Sequence, residues 1–359
     1  GRVVDPTTGA NLSYGALAAR DDGALTPPDA ESVALKSPSE FRLIGRSVPR
    51  RDVADKSAGK AIFAIDVRRP NMLYASVLRA PVEGETVASI DDAAARATPG
   101  VVDIVMVPDG VAVVAERLEL AFAGRAALDV AWTTTAAARG WSSDETLARY
   151  AEAVDDDGRE GAIWAEKGDS DAAFAASEKT LSSLYLSDYA YHAQLEPMAC
   201  VADVDADGKG AEVWVGSQTQ TLSTLTVTNV LETTPDRVRL NMMTMGGGFG
   251  RRTELMQNYL RDALLASKAV KRPVKVIWTR EDDVKFGHFR PAAAQRVRAG
   301  LSADGIVEGW RHRVATPSVI KAFNPIRWAQ VAPKDIISMR GAENKHYSFK
   351  DMRAEHVIT

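Results

Sequence analysis

The strongest constraint in the chain lies in "RVRLNMMTMGGGFGRRTELMQNYLRDALLAS", residues 237–267. There Gly246, Gly247, Gly248 and Gly250 crowd around Phe249, and Arg251 and Arg252 follow at once. Glycine takes positive φ at no steric cost and lets another group touch the main chain. The residues before the glycines read as a strand. Those after repeat Leu255, Met256, Tyr259, Leu260, Ala263 and Leu264 at three- and four-residue spacing, the stripe of a half-buried helix. A strand, a glycine loop and a helix start together present free N–H groups and the positive end of a helix dipole, a geometry suited to anions. Arg251 and Arg252 are candidates for bidentate phosphate contacts. Named nucleotide patterns fail, however. A GxGxxG begun at Gly246 meets Arg251 where its last glycine belongs, and no GK[ST] follows. The loop is either a site for an anionic ligand, with Phe249 packed on something, or a tight turn pressed against a neighbouring segment.

Composition narrows the function classes. A chain of 359 residues is long enough for two or more domains. Its net charge of −4 argues against a broad basic surface for nucleic acid. Cys200 is the sole cysteine, so an intramolecular disulfide is impossible and the chain cannot hold an iron–sulfur cluster by itself. His192, His288, His312, His346 and His356 show no HxxxH or HxH spacing, against a zinc site. No apolar run approaches the roughly 20 residues of a membrane span. The chain opens on Gly1 without a signal-peptide pattern, and "MRAEHVIT" at its end reads as a strand; both ends are expected to be processed or artificial.

The pattern along the chain is α+β. Residues 1–40 read as a turn, a short helix with Ser13 as N-cap, and a proline-bearing linker. Residues 41–135 hold short β-branched runs, "AIFAIDV", "MLYASVLRA", "VVDIVMV" and "GVAVVAE", with two small helices and the strand "DVAWT", a compact α+β domain. Residues 136–180 read as a connecting helical segment whose helix begins at a capping box, Ser142 with Glu145. Residues 181–359 return to strands: a hairpin turns at "DADGKG", a helix runs through "TLSTLTVTNVLETT", and a second hairpin crosses "SADG".

These pieces resemble the xanthine oxidase family of molybdenum hydroxylases. "MGGGFGRR" resembles the family's molybdopterin-contacting loop. "YAYHAQLEPMACVADV" (189–204) is similar to the segment before its pocket, and "VWVGSQTQT" (213–221) to the one that supplies a glutamine to the metal's oxo ligand. "GKAIFAIDVRRPNMLYASVLRAPVEG" (59–84) looks like the start of its hammerhead domain. The two-subunit branch typified by the large (beta) subunit of isoquinoline 1-oxidoreductase is most similar, with an aldehyde dehydrogenase type beside it.

The resemblance implies a hammerhead-like domain over 41–135 and a partial molybdopterin-binding domain over 181–359. Gln218 would donate to the oxo group, and Gly246, Gly247, Gly248, Phe249, Gly250, Arg251 and Arg252 would contact the cofactor, with His192 and Glu196 close by. It implies molybdopterin in its cytosine dinucleotide form and hydroxylation of an N-heteroaromatic ring or oxidation of an aldehyde, with water as oxygen source. It also implies iron–sulfur clusters in a separate small subunit, and a remaining part of the large subunit that carries the base glutamate beyond Thr359. The chain alone would then be inactive. Relatives are often periplasmic, otherwise cytoplasmic. The competing reading is a non-catalytic module that keeps the fold and binds an anion or a partner without molybdenum.

Overall fold

The structure is a computed structural model that describes residues 1–20, 26–254, 257–344 and 346–359. It divides into two compact units, Gly1–Ala61 and Ile62–Thr359. In the first, β1 (Arg2–Val4) pairs antiparallel with β2 (Asn11–Ser13). Helix α1 (Tyr14–Ala18) follows, with the Ser13 hydroxyl accepting from Ala16 N as expected of an N-cap, and α2 (Val53–Ser57) closes the unit.

The second unit opens with β3 (Leu73–Arg79), β4 (Val87–Asp91), α3 (Ala93–Arg96), β5 (Val101–Val107), β6 (Gly110–Ala115), α4 (Leu118–Ala126) and β7 (Asp129–Trp132). Next come α5 (Ser143–Asp155), β8 (Ala162–Lys167), α6 (Ser170–Ala176), β9 (Lys179–Ser187), β10 (Ala199–Val204), β11 (Ala211–Val215) and α7 (Gln220–Leu231). The chain continues through β12 (Val238–Met242), α8 (Asn258–Val270), β13 (Val274–Ile277), α9 (Arg280–Phe286), β14 (Ala293–Leu301) and β15 (Val307–Thr316). It ends with α10 (Val319–Phe323), α11 (Pro325–Val331), α12 (Ile336–Met339) and β16 (Asp351–Ile358).

Two mixed sheets organise this unit. One has seven strands in the order β12-β11-β10-β13-β3-β6-β5, the other five in the order β8-β16-β15-β14-β9. On one face of the larger sheet, Leu73, Ala75, Cys200, Ala202, Val213, Val215, Val274 and Val276 pack against Val227 and Leu231 of α7 and Tyr259, Leu260, Ala263 and Leu264 of α8. The alternation along β13 and β10 sends Ile277 and Ala199 to the opposite face, where they meet Ala64. β10 lies between two strands and is buried on both faces, which is why "ACVADV" shows so little polar alternation.

Two local expectations fail. "AIFAIDV" is not a strand: Ala64–Asp66 form a single 3₁₀ turn, because the Asp66 carboxylate accepts from Phe63 N and curls the chain back. Nor does a long helix begin at the glycine loop. Gly250 leads into a 3₁₀ turn over Arg251–Thr253, and α8 starts only at Asn258. The predicted contributions of Leu255 and Met256 lie outside the described residues.

Candidate functional site

Strand directions decide which loops meet. β11 runs parallel to β12, β13 runs parallel to β3, and β10 runs antiparallel to both β11 and β13. The C-terminal ends of β11, β12 and β13 and the N-terminal end of β10 therefore share one edge of the sheet. The loops that leave there carry Gln218, the glycine loop, the segment 190–198 and the segment 278–290.

At this edge the glycine loop is held by its own protein. Glu196 N donates to Gly246 O and Gly246 N donates to Glu196 Oε2, each at 3.0 Å. A Cβ on Gly246 would lie 2.4 Å from Glu196 Cβ, and one on Gly248 2.5 Å from Gln218 Oε1. Gly247 and Gly250 have φ of +97° and +103°, and Phe249, also in the left-handed region, projects its ring into solvent. So the close approach read from the glycines is made, in this chain, to Glu196 and Gln218.

Arg252 braces this arrangement. It is fully buried, and its Nε donates to Gly247 O (3.0 Å), one terminal nitrogen to Gly216 O (3.1 Å), and the other to Glu196 O (2.8 Å) and Glu196 Oε2 (3.1 Å). Its donors thus serve three segments of the chain. Arg251 is buried too. It pairs with Glu254 at 2.8 Å and lies over the Trp278 ring, while its Nε and second terminal nitrogen have no acceptor among the described residues. Neither guanidinium is presented to solvent as a phosphate clamp.

Gln218 is the exposed member. Its Oε1 accepts from Gly250 N (3.1 Å) and Arg252 N (3.2 Å), and its backbone N donates to Arg252 O. These two N–H donors fix which end of the amide is oxygen and leave Nε2, a neutral donor, without a partner among the described residues. The N–H groups of Gly247, Gly248 and Phe249 also lack an acceptor among them. This donor set, Gln218 Nε2 with the loop amides, is of a kind that fits an oxygen-rich, anionic group, and the arginines are internal supports.

His192 Nδ1 lies 2.9 Å from His288 O, and its Nε2 faces the open side of Gly250. Burial lowers its pKa below the ordinary 6.5 against the opposing bond to His288 O, and Arg290 and Arg251 push the same way as burial, which favours the neutral imidazole. His288 in turn meets Glu254 at 2.7 Å, which raises the imidazole's pKa. A second buried group was not visible in the sequence: Asp283 accepts from Gln194 Nε2 (2.6 Å), Tyr191 OH and Arg280. It ties the 190–198 segment to α9. Residues 89 apart in the chain carry no local signal of such a bond.

With this geometry established, the likeness to known proteins is specific. Residues 154–318 match the molybdopterin cofactor-binding domain. The chain is 37% identical over 304 residues to the beta subunit of isoquinoline 1-oxidoreductase from Brevundimonas diminuta, which covers 83% of this chain and 38% of that protein. It is 32% identical over 324 residues to a nicotinate dehydrogenase subunit from Pseudomonas putida, covering 88% of this chain and 26% of the relative. The solved aldehyde oxidoreductase of Desulfovibrio gigas superposes with a TM-score of 0.66 at 18% identity, over 90% of this chain and 39% of that one. The chain belongs to the xanthine oxidase family of molybdenum hydroxylases and corresponds to part of its large, molybdopterin-binding subunit. It spans well under half the length of these relatives. Among the described residues no helix is long and apolar enough to cross a membrane.

Proposed function

We propose that this chain forms one wall of the cofactor cradle in a molybdenum hydroxylase that oxidises an N-heteroaromatic compound or an aldehyde, with water as oxygen source. The observation that carries the reading is Gln218, whose Oε1 is locked by Gly250 N and Arg252 N so that Nε2 is left as a directed donor beside the glycine loop. When bound, the molybdopterin group supplies the redox chemistry. The chain's own residues bind and orient. Gln218 Nε2 and the amides of Gly247, Gly248 and Phe249 hold the anionic group, Phe249 offers an apolar wall, and neutral His192 backs the loop without adding charge. The rest of the large subunit, a small iron–sulfur subunit and the cytosine dinucleotide form of the cofactor complete the proposal. They rest on the family resemblance and on the single cysteine of this chain.

The test pairs two variants in the complete enzyme and reads bound molybdenum separately from turnover. Gln218→Glu keeps an acceptor for the two loop amides and removes the donor. Turnover should fall by about 10²-fold, the scale of losing one oriented donor in a water-poor site, with the fold intact. Gly248→Val, which cannot fit beside Gln218, should abolish cofactor loading. Full turnover in Gln218→Glu together with full loading in Gly248→Val would remove the site from the cradle. One observation favours the non-catalytic alternative: the loop is shaped entirely by its own chain. A wild-type protein with no molybdenum in any assembly would decide for that alternative.

A further inference from the structure

The larger sheet carries a second feature on the face away from α8. Between the 64–66 turn, β3, the start of α4 and β13 lies a cavity of about 420 Å³. At its floor is Lys275, only 2% exposed, whose Nζ donates to Ile65 O at 2.6 Å. Beside it Arg68 donates to Tyr74 OH at 3.3 Å, and the Lys275 amine sits 5.7 Å from the centre of the Tyr74 ring.

Of the three cations that line the cavity, Arg117 pairs with Glu119, and neither Lys275 nor Arg68 has a carboxylate within ion-pair distance among the described residues. The acids nearby are committed elsewhere. Asp66 accepts from Phe63 N at 3.0 Å, and Glu119 pairs with Arg117 at the rim. Burial, with Arg68 adding to it and Asp66 opposing, brings the Lys275 amine down to about 8. A buried amine with one acceptor is a costly arrangement unless an anion meets it, and the exposed Arg68 guanidinium stands beside it without a carboxylate. The remaining walls, Ile65, Leu118 and Ile277, are aliphatic.

We propose that this cavity binds a small carboxylate with an apolar body, its oxygens between Lys275 and Arg68 and its hydrocarbon against Ile65, Leu118 and Ile277. Two cations backed by aliphatic walls match a single carboxylate on a carbon skeleton. A bare phosphate would leave the apolar wall uncovered. The lining shares no residue with the glycine loop, although Ile65 N donates to the Glu196 carboxylate at 3.4 Å, and the proposal does not invoke molybdenum.

Benzoate is the probe, with benzyl alcohol as its neutral counterpart and inorganic phosphate as the bare anion, each titrated calorimetrically into the full chain. Benzoate should bind saturably, with benzyl alcohol and phosphate weaker by about tenfold or more, the scale of a charge-assisted bond or a buried ring. Arg68→Gln, on an exposed side chain, and Lys275→Met should each weaken benzoate by a similar factor. Wild-type protein should also take up a proton on binding above about pH 8, as the carboxylate restores the ammonium, and Lys275→Met should not. Absence of benzoate binding, phosphate binding as tightly as benzoate, or undiminished binding in Arg68→Gln would each overturn the assignment. If Lys275→Met does not fold, Arg68→Gln and the proton uptake decide alone.

Discussion

Arg252 and Arg251 are adjacent, both are buried, and they differ in what they hold. Arg252 donates to three carbonyl oxygens and to the Glu196 carboxylate. Arg252→Met would leave those acceptors, one of them a buried charge, without partners, at a cost of about 3–5 kcal/mol. Arg251 has one carboxylate partner and two nitrogens with no acceptor among the described residues, so part of its desolvation is never recovered. Arg251→Met should therefore destabilise by about 1–2 kcal/mol less. Urea unfolding of the two variants measures the difference, and the reverse order would contradict the brace. At the neighbouring pair, Glu254 has a lowered pKa and His288 a raised one. For Glu254 burial alone pushes upward, and it is outweighed by His288 and Arg251. The signs define a window. The Glu254 contribution is fully present above its ordinary 4.5 and is lost as pH falls through its lowered value. The His288 contribution is fully present below its ordinary 6.5 and is lost as pH rises through its raised value. Comparing the melting temperature of wild type and His288→Gln across pH should show the largest gap between those two ordinary values. A gap that widens toward alkaline pH would exclude the pairing.

At the scale of elements, the glycine loop separates two kinds of glycine. Gly246→Ala drives a methyl into Glu196 Cβ and N, where the loop and the 190–198 segment exchange one backbone bond and one bond to the Glu196 carboxylate. It should cost about 1–3 kcal/mol and raise amide exchange along both segments. Gly250→Ala meets only His192 Nε2 at 3.7 Å but must hold φ near +103°. Its penalty is about 1–2 kcal/mol of backbone strain, and exchange should rise in the loop alone. Sequence reading works where an element is local. β3, β5, β6, β10, β11 and β13 are β-branched or apolar runs bounded by Gly, Pro or Asp, the β14–β15 hairpin is marked by its "SADG" turn, and all stand where those patterns put them. It fails at 64–66, where one side-chain bond from Asp66 outweighs a seven-residue hydrophobic pattern. It also misplaces the helix after the loop, because nothing in "GRRTELMQ" announces that a 3₁₀ turn comes first. The glycine loop stands out by its own residues, whereas Gln218 is singled out only through resemblance. That Arg252 looks inward was not legible, since its partners Gly216 and Glu196 lie 36 and 56 residues away.

On the scale of the whole molecule, every hydrophobic cluster described lies within Ile62–Thr359. A chain shortened to residues 62–359 should keep cooperative unfolding and lose at most a few degrees of melting temperature, since the buried apolar area that drives folding stays with it. Loss of the cooperative transition would show that Gly1–Ala61 is required for the core. Within this unit, the loops that form the candidate site leave one edge of one sheet, and Arg252 binds three of them into a single body. A loop braced this way is ordered before any ligand arrives. Maturation would then be an insertion into a finished socket, with the entropy of arranging the socket already lost during folding and not charged against the ligand's affinity. Under the proposed cradle, an apoprotein of this kind would keep, folded and empty, until a cofactor is delivered.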